Sequence, residues 1–511
     1  MVAAEERKHF AEPYEIRIGE MSHGVFLALA AILTALTICR ILLAATADLA
    51  EDEAYYWLWS THLALSYYDH PPMIAYWIRA GTSIFGDAAF GVRVVGLLSV
   101  LGGSYLLFET VIALFKNRTA AALSVIWLNA TLLCNAAAII ATPDTPLAFF
   151  ATLTLFGLTK LIDTGDGRYW LLIGAGLGCA FLSKYTAALL LPGIGLWLLL
   201  TKEGRSWLPR PQPYLGAVLA LILIAPVIYW NYLHDWASFA KQAYHGVKDK
   251  PANALQSVGE LIGGQAGLLT PLVFAFCMFG IGFATWRGMT RRDPRWLLIG
   301  LFPAPALLFF LIHSASQKIQ PNWPGFLYSA AIVAGVCAFL ELNSRRALPS
   351  WLRWSFHLAP VLALIFTAGA FLQLGFSVLP VPAKKDPTSR LKGWSALVTD
   401  IAAIRAQTGA GVILTDRYAI TGEISYYLGD PAGVLEVKER IRYANLPPPQ
   451  DYLLAEKPSM LVVRHGEDVA YLSQYFGDRR LVTTLVRRGG FQPQEAYDVY
   501  IFSHYRGGLF S

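Results

Sequence analysis

From about residue 24 to 379 the chain alternates long apolar runs with short polar breaks. Beyond that point apolar and polar residues mix at ordinary spacing. A spanning helix needs about 20 predominantly apolar residues. Eleven runs are read as such spans: 24–46, 88–115, 119–141, 144–163, 168–183, 185–201, 214–233, 266–286, 296–314, 322–341 and 354–379. The fifth and sixth are short and are separated only by Ser183-Lys184. In the last part, period and residue type predict helices over 397–407 and 420–428 and strands over 411–416, 460–463 and 498–502. The expected fold class is a mainly α membrane protein with about eleven transmembrane helices over 1–382, followed by a C-terminal extracytoplasmic α/β domain over 383–511.

Composition agrees with this pattern. The 511 residues are 55% hydrophobic and only 15% charged, against about 45–50% and about 25% in soluble domains. That excludes a single soluble fold, a disordered chain and a collagen-like fibre. All five cysteines (Cys39, Cys134, Cys179, Cys277, Cys337) lie in apolar runs and are read as packing residues, with no disulfide framework in the C-terminal part. The net charge of +6 is mainly a matter of orientation. With the N-terminus inside, 17 basic residues fall on inner segments (Arg7, Lys8, Arg17 and those near 116–118, 160–168, 202–210, 287–295 and 345–353). Seven fall outside: Arg79, Arg93, Lys184, Lys241, Lys248, Lys250 and Lys318. The positive-inside rule then puts the N-terminus in the cytoplasm, and an odd number of spans puts the C-terminal domain on the outer side. Nucleic acid drops out as a partner. Ala45-Thr46-Ala47 resembles a cleavage site, but the long apolar run and the five acidic residues before it favour a retained span.

The unusual chemistry lies in the outer loops. The first, about 47–87, holds Glu51-Asp52-Glu53-Ala54-Tyr55-Tyr56-Trp57 and then Tyr67-Tyr68-Asp69-His70-Pro71-Pro72-Met73. Its aromatics suit amphipathic helices lying along the membrane surface, and Pro71-Pro72 would open the second of them. Asp144, in Thr142-Pro143-Asp144-Thr145-Pro146, either caps a helix or serves chemistry. Lys184 stands in a very short turn, Trp230-Asn231 precedes Trp236-Ala237-Ser238-Phe239, and Lys318 precedes Pro321-Asn322-Trp323-Pro324. The inner loops hold plain Arg and Lys. Gly174, Gly176 and Gly178 lack the preceding strand of a dinucleotide loop and are read as close helix packing. Arg417-Tyr418 and Glu423, after the first expected strand, either reach a site or cap the fold.

Six of these stretches, in order from about residue 50 to 325, resemble the GT-C membrane glycosyltransferases. Within that superfamily the chain is most similar to the protein O-mannosyltransferase-like group and to the aminoarabinose and galacturonosyl transferases that modify lipopolysaccharide. The resemblance implies a polyprenyl-phosphate-linked sugar donor, a glycolipid or polysaccharide acceptor hydroxyl, inversion at the anomeric carbon and a bacterial inner membrane location. It also implies that Asp52 is the general base, with Glu53 binding or structural and Asp144 holding the acceptor or a cation. A phosphate leaving group needs cations. Lys184 and Lys318 are favoured, with His70 and Arg79 also available. Asp69, Tyr55, Asn231, Asn322 and Trp323 complete the candidate substrate-binding set. Family members nearest the aminoarabinose enzymes carry Glu-Lys before Pro-Pro where this chain has Asp69-His70, so that pair is also kept as a candidate metal site, with a divalent metal possible but not expected to be required. The other readings are a protein O-glycosyltransferase, a lipid or sugar transporter, which would place ionisable groups near the bilayer midplane, and a non-catalytic assembly protein.

Overall fold

The computed structural model describes residues 23–248, 253–345, 348–490 and 492–510. Of the basic residues counted for orientation, Arg7, Lys8, Arg17, Lys250 and Arg346 lie outside the described residues. All five cysteines are unbridged.

The chain forms two compact units. One comprises Met1–Arg40, Gly96–Ile139 and Pro143–Ala368; the other comprises Ile41–Val95, Ile140–Thr142 and Gly369–Ser511. Eight described helices are long and apolar enough to cross a membrane: His23–Thr46, Ala89–Phe115, Asp144–Thr164, Gln212–Leu233, Pro271–Arg291, Pro294–Ser314, Trp323–Arg345 and Ser350–Phe376. The protein is therefore a multi-span membrane protein. The fifth and sixth expected spans appear as shorter apolar helices, Tyr169–Ser183 and Tyr185–Leu200.

The first unit packs its helices around Trp323–Arg345, whose apolar window is 89% buried, against 22% for Gln212–Leu233, which carries exposed apolar residues. Small residues allow close approach. A Cβ on Gly174 would stand 2.1 Å from the Gly216 carbonyl oxygen, so the glycine run of Tyr169–Ser183 is a packing face.

The expected span 119–141 is broken. Arg118–Ala130 and Leu132–Ile139 meet at 66°. The carbonyls freed at the bend find partners in side chains: Asn135 Nδ2 donates to the Asn129 and Thr131 carbonyls (2.8 and 2.7 Å). Buried Arg40 donates to Asn135 Oδ1, Asn129 Oδ1 and the Asn129 carbonyl (2.8, 2.9 and 3.2 Å). An arginine inside a span is tolerated on these terms because every interaction is internal to the bundle.

The second unit contains a five-stranded sheet in the order β2-β1-β3-β5-β4. The strands are β1 (Val412–Thr415), β2 (Val434–Glu436), β3 (Ser459–Arg464), β4 (Phe476–Gly489) and β5 (Gln492–Tyr505). β1 lies parallel to β2 and β3, whereas β3–β5 and β5–β4 are antiparallel. Helices Trp394–Thr408 and Tyr418–Leu428 cover one face, where Trp394, Ile401, Ile420 and Ile424 pack on Ile413, Met460 and Val499. The other face is closed by Leu454, Leu472 and Phe476.

Helix Glu51–Thr61 belongs to this unit and differs from expectation. Residues Glu53 to Ser60 are all buried. Tyr55, Trp57 and Trp59 form a core with Tyr67, Ile74 and Ile78 instead of an interfacial belt. A helix apolar all round is buried rather than laid on a surface. The following helix, Met73–Phe85, begins directly after Pro71-Pro72 and does segregate its faces, burying Met73, Ile74, Ala75 and Ile78.

Candidate active site

Three acids open helix Glu51–Thr61, where the positive end of the helix dipole favours them. They then diverge in role. Glu53 turns inward and is wholly buried against wholly buried Arg93. Its Oε1 accepts from Arg93 Nε and from the Ala141 amide (both 2.8 Å). Its Oε2 accepts from Arg93 Nη2 (2.7 Å) and from the Ala50 amide (2.9 Å). Arg93 also donates to the Ala44, Ala47 and Asp48 carbonyls (3.1, 2.9 and 2.7 Å). Every charge is satisfied, and the start of the helix is held in place from three chain segments.

Asp52, one residue earlier, is half-buried and stands outside this network. Its Oδ1 accepts a hydrogen bond from the Tyr418 hydroxyl (3.1 Å). Burial pushes its carboxyl above the usual range, opposed by the Tyr418 hydrogen bond and by Arg390 and Arg442, and assisted by Glu53. A carboxylate that holds its proton more tightly than usual and yet retains a hydrogen-bond donor has the character of a general base.

Asp69 is clamped rather than open. Arg442 Nη1 donates to both its oxygens (2.7 and 2.6 Å) and the Tyr55 hydroxyl to Oδ2 (2.7 Å). The His70 ring lies 6.1 Å from that of Tyr56. Among the described residues no group of three or more His, Cys, Asp or Glu side chains is placed to hold a metal ion. Asp69 thus serves to anchor Arg442, and nothing in the geometry assigns it a metal. The Arg79 side chain is exposed on helix Met73–Phe85.

The first unit has its own constellation. Asp144 is the first residue of helix Asp144–Thr164, after Pro143. Lys184 leaves the end of Tyr169–Ser183 in an extended conformation. Asn322 precedes the turn Trp323–Leu327. Lys184 Nζ donates to Asp144 Oδ1 (2.7 Å), Asn322 Nδ2 donates to Asp144 Oδ2 (2.8 Å), and Lys184 Nζ lies 5.6 Å from the centre of the Trp323 ring. Three turns distant in sequence therefore meet at one carboxylate. Lys318 lies in the segment leading to Asn322, exposed and with no ion pair among the described residues. Asn231 is used locally: its Oδ1 accepts from the Ser238 and Phe239 amides and its Nδ2 donates to the Val227 carbonyl (3.2, 3.4 and 3.0 Å). It shapes the turn that contains Asp235 and Trp236, both with positive φ.

Sequence reading had not picked out Arg442, or Arg93 as the partner of Glu53. Arg442 lies in the turn Arg440–Tyr443, which has no periodicity to mark it. Glu423, which the sequence did single out, has both its oxygens buried without a hydrogen-bond partner among the described residues. Burial, then Glu51, Asp48 and Glu53, hold its carboxyl well above the usual range. An acid raised in this way gives up stability as pH climbs through its folded value. Because that loss begins just above the ordinary glutamate range, Glu423→Gln is expected to exceed the wild-type Tm at neutral pH and to gain on it further toward alkaline pH, as read by thermal unfolding across pH.

The fold that carries these residues is that of the GT-C membrane glycosyltransferases. The structure of ArnT from Cupriavidus metallidurans bound to undecaprenyl phosphate superimposes with a TM-score of 0.63, covering 94% of this chain and 98% of that one at 17% identity. The archaeal oligosaccharyltransferase AglB from Archaeoglobus fulgidus matches at a TM-score of 0.50 and 11% identity, over 92% of this chain and 74% of its own. In sequence, residues 69–230 match the dolichyl-phosphate-mannose-protein mannosyltransferase family. The lipid A galacturonosyltransferase RgtD of Rhizobium johnstonii is 27% identical over 75% of this chain and 78% of its own length. The undecaprenyl phosphate-alpha-4-amino-4-deoxy-L-arabinose arabinosyl transferase of Pseudomonas aeruginosa is 29% identical over 33% of this chain and 31% of its own length. Together these likenesses make the chain similar, in fold and in sequence, to the GT-C membrane glycosyltransferases.

Proposed function

We propose that the protein transfers a sugar from a polyprenyl-phosphate donor to a hydroxyl of lipid A on the outer face of a bacterial inner membrane, with the N-terminus cytoplasmic and the domain over 383–511 periplasmic. The observation that carries this reading is a half-buried carboxylate of raised pKa, Asp52, held beside a hydroxyl donor on a helix nailed down by Glu53 and Arg93. Asp52 takes the proton of the acceptor hydroxyl as that oxygen bonds to the anomeric carbon. The bond from the anomeric carbon to the phosphate oxygen breaks, the electron pair leaves with the polyprenyl phosphate, and the anomeric centre inverts. Lys184, oriented by Asp144 and Asn322, and Lys318 supply positive charge for the donor phosphate, and Trp323 offers a face for the sugar. Glu53, Asp69, Tyr55 and Asn231 position the groups around them.

Galacturonate is the donor sugar supported best, because likeness to the galacturonosyltransferase runs over 75% of the chain and likeness to the aminoarabinose enzyme over 33%. Mass spectrometry of lipid A from cells with and without the protein tests the reading. An added uronic acid that depends on the protein is expected. Unchanged lipid A, with the sugar found on protein or merely moved across vesicle membranes, contradicts it. Lys184→Ala removes a charged hydrogen bond and should lower kcat/KM for donor by about 10- to 100-fold. Initial rates at varied donor concentration check this.

A further inference from the structure

Helix Tyr418–Leu428 lies on helix Glu51–Thr61 at backbone distance: a Cβ on Gly422 would stand 2.8 Å from the Tyr55 amide nitrogen and 3.0 Å from the Ala54 carbonyl carbon. Gly422 is one turn along from Tyr418, so the contact that admits no side chain at 422 also fixes where Tyr418 begins its helix. The Tyr418 ring is boxed in. Its centre is 4.9 Å from that of Tyr55, and the Arg442 guanidinium lies 4.5 Å from it. Arg442 is itself fixed by two hydrogen bonds to Asp69, and the Tyr443 hydroxyl donates to the Tyr418 carbonyl (3.3 Å). Held in this way, the ring delivers its hydroxyl to Asp52 Oδ1 at 3.1 Å.

From this geometry we infer that Tyr418 is a positioning residue for Asp52: its hydroxyl orients the carboxylate and donates to its charged form, and Arg442 and Asp69 hold the ring in place to do so. The inference rests on the reading of Asp52 as the base. Asp52 is faced by Tyr418, Arg390 and Arg442, which favour its ionised form, and by Glu53 and Glu51, which oppose it. Burial and the nearby Asp52 charge push the Tyr418 hydroxyl above its usual range, so it stays a donor across working pH. Losing this donor raises the pH at which Asp52 sheds its proton, because burial is then less opposed.

The test is the pH profile of kcat/KM for the full-length protein in lipid nanodiscs, with polyprenyl-phosphate-linked sugar and lipid A. Tyr418→Phe is expected to move the acid limb up by about one pH unit, a charged hydrogen bond's worth, with a smaller loss on the alkaline plateau. A uniform rate loss with an unmoved acid limb overturns the inference, as does an unchanged profile. A fluorinated tyrosine at 418, a stronger donor of nearly the same shape, should move the limb the other way; no movement again overturns it and needs no variant of altered packing. Asp52→Asn, measured alongside, keeps the two claims apart: full transfer by that variant sinks the base assignment whatever Tyr418 does.

Discussion

Asp52→Asn is expected to lower kcat by about 10²- to 10⁴-fold, the contribution of a positioned base to proton transfer. The substitution keeps the size of the side chain and an oxygen able to accept from the Tyr418 hydroxyl (3.1 Å in the wild type), so helix Glu51–Thr61 should remain in place. What is lost is the site that receives the proton. Donor KM should change little, because the cations assigned to the phosphate are Lys184 and Lys318. Because burial raises the Asp52 carboxyl, wild-type activity should also fall, as pH drops, at a higher pH than an ordinary aspartate would give. The residual activity of Asp52→Asn should lack that limb. Initial rates across pH read both effects.

Glu53→Ala should act on the fold rather than on the proton. It leaves Arg93 buried with its charge unpaired, and removing one partner of a buried pair costs about 3–5 kcal/mol. For a unit of this size the Tm should fall by roughly 10 °C, read by thermal unfolding in detergent. Replacing both residues with methionine should recover only part of the loss. Arg93 also satisfies the Ala44, Ala47 and Asp48 carbonyls, and Glu53 the Ala50 and Ala141 amides, which the double variant orphans. The contrast between neighbours is informative: Asp52→Asn should spare Tm and remove transfer, whereas Glu53→Ala should lower both.

These neighbours also mark what sequence can and cannot reveal. The helices of the membrane part were legible because a 20-residue apolar run has few alternatives in a bilayer. The bend at Thr131 was not, because Asn129, Asn135 and Arg40 compensate it through contacts distant along the chain. In the α/β part the buried strands β1 and β3 showed as apolar runs. β2 is only three residues long, and the edge strand β4 carries Arg479, Arg480 and Arg488 on exposed positions, so neither has a pattern to find. Asp144, Lys184 and Asn322 each stand out in a separate outer turn of the sequence, and the structure joins them by hydrogen bonds. The division of labour between Asp52 and Glu53 depends on Arg93 and Tyr418, at sequence separations of 40 and 366 residues, which no local spacing encodes.

The most direct test of the central claim is a single-turnover reaction of the purified protein in nanodiscs with undecaprenyl-phosphate-linked galacturonate and lipid A. Glycosylated lipid A and free undecaprenyl phosphate should appear together in equal amounts, with inverted configuration at the new linkage and with no metal added. Donor that stays intact while lipid A is unmodified would contradict the account.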